Sequence, residues 1–271
     1  MNGIRGVAFD LDDTLLRDDL TISQEAVSVF HDLREGGVHI IPASGRTWPS
    51  MKFYVDQLAC TELCIACNGA EIRETGIGRL LQEETFPMET ALEIIGFGRE
   101  HDLYTQIYEE GRFYYDRPCV WAEKYAANTR LTGIRVPDLS EMIREPRKKV
   151  LMIDTEETMN RLFPEALRRF GSRLSVTSSK QGYLEFNSLH ATKGKALARA
   201  AEMLGIRTEE IFSFGDSLND LSMREASGRF IAVANGRPEI LRQCDDVCGA
   251  NNEDGVTRYL EKHVLKREMM A

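Results

Sequence analysis

Three carboxylates close an apolar run near the start of the chain. In VAFDLDDTLL, from Val7 to Leu16, the acids Asp10, Asp12 and Asp13 follow Phe9. Acids grouped at the tip of a buried strand cost desolvation and mutual repulsion unless a cation lies between them. The segment is therefore either a solvated strand end or a cation site. Three other short stretches carry groups that suit the second reading: Ser44 in PASGR, Lys193 in TKGKA, and Asp216, Asn219 and Asp220 in GDSLND. Each alone has a bland reading, since Ser-Gly and Asp are common in turns and Thr192 can cap an ordinary helix. TKGKA is not a phosphate-binding P-loop, because the first glycine and the terminal hydroxyl of GxxxxGK[ST] are missing.

The elements that must position these groups alternate. IRGVAFDLD reads as a strand and TISQEAVSVFHDLREGG as a helix, capped by Thr21 or Ser23, with Ala26, Val27, Phe30 and Leu33 on its apolar side and Gly36-Gly37 at its end. VHIIPAS, RTWPSMKFYVDQLA and LCIACNGA continue as strand, helix and strand. This pattern predicts right-handed βαβ units in a parallel sheet, where ligands bind beyond the carboxyl ends of the strands at a topological switch point. The four stretches then meet at one sheet edge. AEIRETGIGRLLQEETF reads as a hairpin with turns at Asn68-Gly69 and Gly76/Gly78. From about Pro87 to Phe186, helices such as METALEIIGFGREHD mix with antiparallel-looking strands such as LYTQIYEEGRFYYD and RKKVLMIDT. Parallel logic then resumes, from TKGKALARAAEMLG to DGVTRYLEKHVLK. The expected fold is α/β: a Rossmann-like parallel-sheet core with helices on both faces, residues 1–82 and 189–271, interrupted by an inserted α+β cap domain, residues 83–188.

Composition narrows the partners. A net charge of -9 argues against nucleic acid and leaves any phosphate site to make its own local positive field. No apolar run reaches the roughly 18–20 residues that span a bilayer, and the N-terminus shows no signal-peptide core, so a cytoplasmic location without a membrane partner is expected. The cysteines Cys60, Cys64, Cys67, Cys119, Cys244 and Cys248 lack the paired second half of a zinc site and read as free thiols. The acidic charge and the absence of an obvious exposed apolar stripe favour a monomer over a dimer.

Taken together, the four stretches resemble the haloacid dehalogenase superfamily of aspartate-nucleophile phosphatases. DLDDTLL matches its first motif, Ser44 its second, Lys193 its third and GDSLND its fourth; the insert and CNGAEI resemble the Cof-type branch with a large α/β cap. The resemblance implies Asp10 as nucleophile and Asp12 as general acid and base. It implies Mg2+ on Asp10, Asp216 and the backbone carbonyl of Asp12, and phosphate on Leu11, Ser44, Gly45, Lys193 and Asn219. Ser44 and Gly45 are expected to offer backbone N–H groups as well as the Ser44 hydroxyl. Thr14 is expected to brace the loop and Asp220 to orient Lys193 or a metal-bound water. Arg46 stays open between a substrate contact and a carboxylate partner, Asn68-Gly69 reads as a turn, and His190 reads as a surface residue.

The implied function is magnesium-dependent hydrolysis of a small phosphorylated metabolite, such as a sugar phosphate, through an aspartyl-phosphate. A phosphatase dedicated to one intermediate (a phosphoglycolate or a flavin precursor) and a phosphomutase share these motifs. A non-enzymatic phospho-metabolite sensor would not need Asp12, and the large insert disfavours a phospho-aspartate receiver domain.

Overall fold

The computed structural model describes residues 3–59, 61–109 and 111–266; Cys60 lies outside them. The chain begins β1 (Gly6–Phe9), α1 (Gln24–Glu35), β2 (His39–Pro42), α2 (Trp48–Leu58), β3 (Leu63–Ala66), β4 (Glu71–Glu74) and β5 (Leu80–Glu83). It continues α3 (Met88–Glu100), β6 (Tyr104–Glu109), β7 (Arg112–Tyr115), α4 (Val120–Thr129), β8 (Thr132–Arg135), β9 (Lys149–Ile153), α5 (Glu156–Phe170), β10 (Leu174–Thr177) and β11 (Tyr183–Ser188). The last part is α6 (Lys193–Leu204), β12 (Ile211–Gly215), β13 (Arg229–Val233), α7 (Pro238–Leu241), β14 (Asp246–Cys248) and α8 (Gly255–Leu260).

Five of these strands form a parallel sheet in the order β14-β13-β12-β1-β2. The chain steps from β1 to β2 on one side and later returns to β12 on the other, so β1 marks the switch point. Its side chains alternate between two apolar layers. Val7 and Phe9 pack with Phe30 and Leu33 of α1 and Tyr54 of α2, while Ala8 faces Leu197 and Ala200 of α6. The register sets Phe9 opposite both Pro42 and Phe214. The next residues, Asp10, Ala43 and Gly215, therefore leave the sheet at one level. Ser23, not Thr21, caps α1, its Oγ accepting from the Ala26 N–H at 3.0 Å. Thr21 turns back onto Asp19 instead.

β3 does not extend the parallel sheet as expected. It touches β2 through one parallel bridge, Ala43 to Ile65, and opens a three-stranded antiparallel sheet, β3-β4-β5. The N–H groups of His39 and Ala43 point to the β1 side, bonding Arg5 O and Phe9 O, so residues 40, 42 and 44 must face β3. Pro42 has no N–H to donate there, which limits the ladder. Ser44 completes the join through Ile65 O at 2.9 Å.

The inserted segment builds a six-stranded mixed sheet, β10-β11-β9-β6-β7-β8. Four of its pairings are antiparallel, but β7 and β8 are parallel and joined through α4. One βαβ crossover thus lies inside a region whose sequence reads as purely antiparallel. The short, largely exposed β8 carries no apolar alternation that would announce it. One face buries Phe97, Phe170 and Phe186; the other buries Tyr104, Phe113 and Tyr125.

The start of α6 is packed too tightly for any side chain at Gly194, where a Cβ would lie 1.9 Å from the Ser222 carbonyl oxygen. Helix propensity alone favours alanine over glycine by about 1 kcal/mol. The backbone contact outweighs that, so Gly194→Ala lowers unfolding free energy by about 1–3 kcal/mol in urea titration. A gain in stability would contradict this packing.

Candidate active site

The residues beyond β1, β2 and β12 and at the start of α6 converge. Lys193, fully buried, places Nζ 2.9 Å from Asp10 Oδ1 and 2.6 Å from Asp220 Oδ1. The other oxygen of Asp220 accepts from the N–H groups of Asp216 and Ser217, both at 2.9 Å. That carboxylate folds its own loop and fixes the lysine. Asp216 is held at both oxygens, by Thr14 Oγ1 and by Ser217 Oγ, each at 2.7 Å. Thr14 thereby ties the loop after β1 to the loop after β12.

The loop after β1 turns sharply through Asp13, whose φ is +56°, and Leu16 N–H returns to Leu11 O at 2.8 Å. Leu11 N–H donates to Asp10 Oδ1 at 2.7 Å. Asp12 points elsewhere. Both its oxygens are gripped by Arg46, through Nε and Nη2 at 2.7 Å. Asp13 faces Lys180 of the inserted segment at 3.8 Å. The three acids of the opening run therefore do three different things.

Arg46 is 5% exposed and also donates to Ser50 Oγ at 2.9 Å and to the Asn128 carbonyl at the end of α4 at 3.0 Å. Of the two readings of Arg46, the carboxylate partner is the one seen. The expectation for the Ser44 backbone needs correction. Its N–H is spent on Ile65 O in joining β2 to β3, so Ser44 offers its hydroxyl. Gly45 lies beside it on the same loop, and its carbonyl accepts from Lys149 Nζ at 2.9 Å. Asn219 bonds Asn68, a buried residue at φ +59° in the turn after β3. His190 is exposed.

The inserted sheet closes over these groups and forms a cleft of about 50 Å3, lined from below by Asp10, Asp12, Ser44 and Arg46 and from above by Tyr125, Lys149, Tyr183 and Glu185. Lys149 pairs with Glu185, and both are almost fully buried. Sequence reasoning missed these upper residues. For the Lys149–Glu185 pair, one charge in each of the apolar strands KVLMI and YLEFNS is the only trace, and it does not reveal the partner.

Electrostatics separates the carboxylates. Burial pushes the Asp10 carboxyl well above its ordinary range, against the opposing pull of Lys193 and with added repulsion from Asp220, Asp216 and Asp12. Burial and the Asp220 charge raise Asp216 to about 7, although its Ser217 and Thr14 hydrogen bonds resist. Asp12 runs the other way: burial alone would raise it, but the Arg46 charge and hydrogen bonds prevail and hold it below the ordinary value.

Asp10, Asp216 and Asp220 offer carboxylate oxygens within 4.8 Å of one another. Hard oxygen donors whose ionisation is penalised by burial and mutual repulsion suit a divalent cation such as Mg2+, whose charge would relieve both. Asp220 is already committed to Lys193 and two backbone amides, which leaves Asp10 and Asp216 as the fitting pair.

Comparison with known proteins agrees with this architecture. The family model described as haloacid dehalogenase-like hydrolase matches residues 7–260, and the chain belongs to that family. It is 25% identical to the pyridoxal phosphate phosphatase YbhA of Escherichia coli, covering 96% of this chain and 99% of that protein. It is 26% identical to the 5-amino-6-(5-phospho-D-ribitylamino)uracil phosphatase YitU of Bacillus subtilis, covering 95% and 96%. The crystal structure of TM0651 from Thermotoga maritima superposes with a TM-score of 0.79 at 31% identity, covering 96% of this chain and 97% of that one. Among the described residues no helix is long and apolar enough to cross a membrane.

The raised Asp216 predicts a linkage. Its folded value near 7 exceeds the ordinary 3.8, so the metal-free fold gains stability from this group at low pH and loses it as pH rises between those values. Magnesium competes with that proton. Added Mg2+ should therefore raise Tm by several degrees at pH 8 and by much less at pH 5.5, read by differential scanning fluorimetry. An equal shift at both values would contradict a site on Asp216.

Proposed function

We propose that this chain is a magnesium-dependent phosphatase that hydrolyses small phosphomonoesters, sugar phosphates or related metabolites, through an aspartyl-phosphate on Asp10. The observation that carries this reading is the placement of Asp10: a buried carboxylate against a buried lysine, beside Asp216, at the floor of a cleft that Asp12 also lines. Residues 83–188 act in this account as the cap that excludes bulk water.

Asp10 is the nucleophile. One carboxylate oxygen attacks phosphorus in line with the ester oxygen, the P–O bond to the alcohol breaks, and the departing oxygen takes a proton from Asp12. Asp12 then removes a proton from water as that water attacks phosphorus, which releases phosphate and restores the Asp10 carboxylate. For the first half Asp12 must carry a proton, although Arg46 favours its ionised form. A phosphate dianion brought alongside supplies the opposing, pKa-raising charge. Lys193, the Ser44 hydroxyl, Asn219 and the amide of Gly45 hold the non-bridging oxygens, while the Leu11 amide expected to join them donates to Asp10 Oδ1 and steadies the nucleophile instead. Mg2+ bound by Asp10, Asp216 and the Asp12 carbonyl would neutralise charge on the phosphoryl group.

The names of two relatives, phosphatases of pyridoxal phosphate and of a phosphoribitylaminouracil, favour a second reading: an enzyme dedicated to one biosynthetic intermediate. Both readings share the chemistry and are separated by ranking kcat/KM over a panel of phosphorylated metabolites.

Asp10→Asn should lower phosphate release from p-nitrophenyl phosphate at least about 1000-fold, and EDTA should do the same to the unaltered protein. Asp12→Asn should lower kcat by about 100- to 10,000-fold. Turnover that survives Asp10→Asn would contradict the mechanism.

A further inference from the structure

Three buried asparagines from distant parts of the chain form a continuous line of side-chain amides. Asn219 Nδ2 donates to Asn68 Oδ1 at 3.0 Å, and Asn68 Nδ2 donates to Asn187 Oδ1 at 3.1 Å. Asn187 Nδ2 donates in turn to two backbone carbonyls, Lys148 O at 2.8 Å and Cys67 O at 3.1 Å. Their exposures are 6%, 2% and 0%, so water does not compete for these groups.

The direction of the line follows from chemistry. Carbonyl oxygens only accept, so Asn187 must turn its NH2 toward Lys148 and Cys67 and its oxygen toward Asn68. Asn68 must then present NH2 to Asn187 and oxygen to Asn219. Asn219 has one choice left: NH2 toward Asn68. Turning it over would set two buried acceptors against each other, at a cost that a desolvated site makes large. The rotamer of a residue in the GDSLND loop is thus dictated from β11 of the inserted sheet.

Asn68 also touches the Ser44–Gly45 loop. Its N–H donates to Ser44 O at 3.0 Å, and a Cβ on Gly45 would lie 2.9 Å from its Oδ1. Its neighbour Gly69, at φ +100°, leaves so little room that a Cβ would lie 2.3 Å from Thr192 O, just before Lys193. One turn therefore abuts the loop of Ser44, the start of α6 and Asn219.

We propose that Asn68 is a positioning residue for phosphoryl transfer: its amide fixes Asn219 against the Ser44–Gly45 loop and takes its own orientation from Asn187 at the foot of the inserted sheet. The inference rests on the phosphatase reading for its kinetic readout, with phosphate held between Ser44 and Asn219. Asn68 acts through Asn219, not on the substrate.

The test is a double-mutant cycle between Asn68 and Asn219. Asn68→Gly removes the amide while keeping a residue that tolerates φ +59°. In the otherwise unaltered protein it should lower kcat/KM for p-nitrophenyl phosphate about 10- to 100-fold, mostly in kcat. In an Asn219→Ala background it should cost less than about threefold, because the residue it positions is gone. Affinity for inorganic phosphate, measured by calorimetry with Mg2+ present, should show the same coupling. Asn68→Ala is the companion variant should Asn68→Gly fail to fold: it likewise removes both the acceptor for Asn219 and the donor to Asn187, and it should show the same non-additivity. Equal losses in both backgrounds, or no loss at all, overturn the proposal. A wild type that binds phosphate but hydrolyses no ester refutes the phosphatase reading alone, and the calorimetric cycle then decides Asn68. A wild type that does neither overturns both.

Discussion

Everything at the foot of the cleft depends on one ammonium group. Lys193 sits with no solvent exposure between Asp10 and Asp220, and each of those carboxylates is bound further by backbone amides. Removing one member of such a buried set typically costs about 3–5 kcal/mol, because the remaining charges stay desolvated. The charge arithmetic explains why the set is retained. Around the lysine lie Asp10, Asp12, Asp216 and Asp220, of which Asp12 is balanced by Arg46. Burial drives the Asp10 and Asp216 carboxyls upward, and the excess of negative over positive charge adds to that rise. A divalent cation would offset the negative charge that the protein leaves unbalanced.

The sheet makes this concentration of charge tolerable. β1 is buried on both faces, and its register with β2 and β12 brings Asp10, Ala43 and Gly215 to one level. The acids emerge only where the strands end. The inserted sheet contributes the other half of the environment: Lys149 reaches the Gly45 carbonyl, and Arg46 reaches the Asn128 carbonyl in the opposite direction. Further polar contacts join the two parts, from Asn187 to Asn68 and the Cys67 carbonyl, from Lys148 to Glu71 and from Lys180 to Asp13.

Much of this is legible in the chain itself, for physical reasons. The acids after Phe9 stand out because apolar strands rarely end in three carboxylates, and Asp216 and Asp220 follow from the same pattern of strand ends, whereas Lys193 opens a helix and is picked out by the family resemblance. The long periodic segments, such as α1 and α6, announce themselves by apolar spacing and by their Ser23 and Thr192 caps. The parallel pairing of β8 and the departure of β3 from the main sheet are not legible. The first depends on tertiary pairing of a short exposed strand, the second on which way the missing N–H of Pro42 would have pointed. Asn68 illustrates the limit most clearly. Asn-Gly reads as a turn, and it is one, but its side chain is committed to Asn187 and Asn219, residues 119 and 151 positions away. No local pattern encodes that reach, and the Lys149–Glu185 pair is hidden for the same reason.

The central claim is that Asp10 carries the phosphoryl group during turnover. Its most direct test is rapid acid quenching of the protein mixed with a 32P-labelled phosphomonoester and Mg2+, followed by reductive trapping of acyl phosphates and peptide mapping. The account predicts label that forms and decays within a turnover and maps to Asp10 in the peptide that holds VAFDLDDTLL. Turnover that proceeds with no trapped label on Asp10, or with label on another residue, would contradict it.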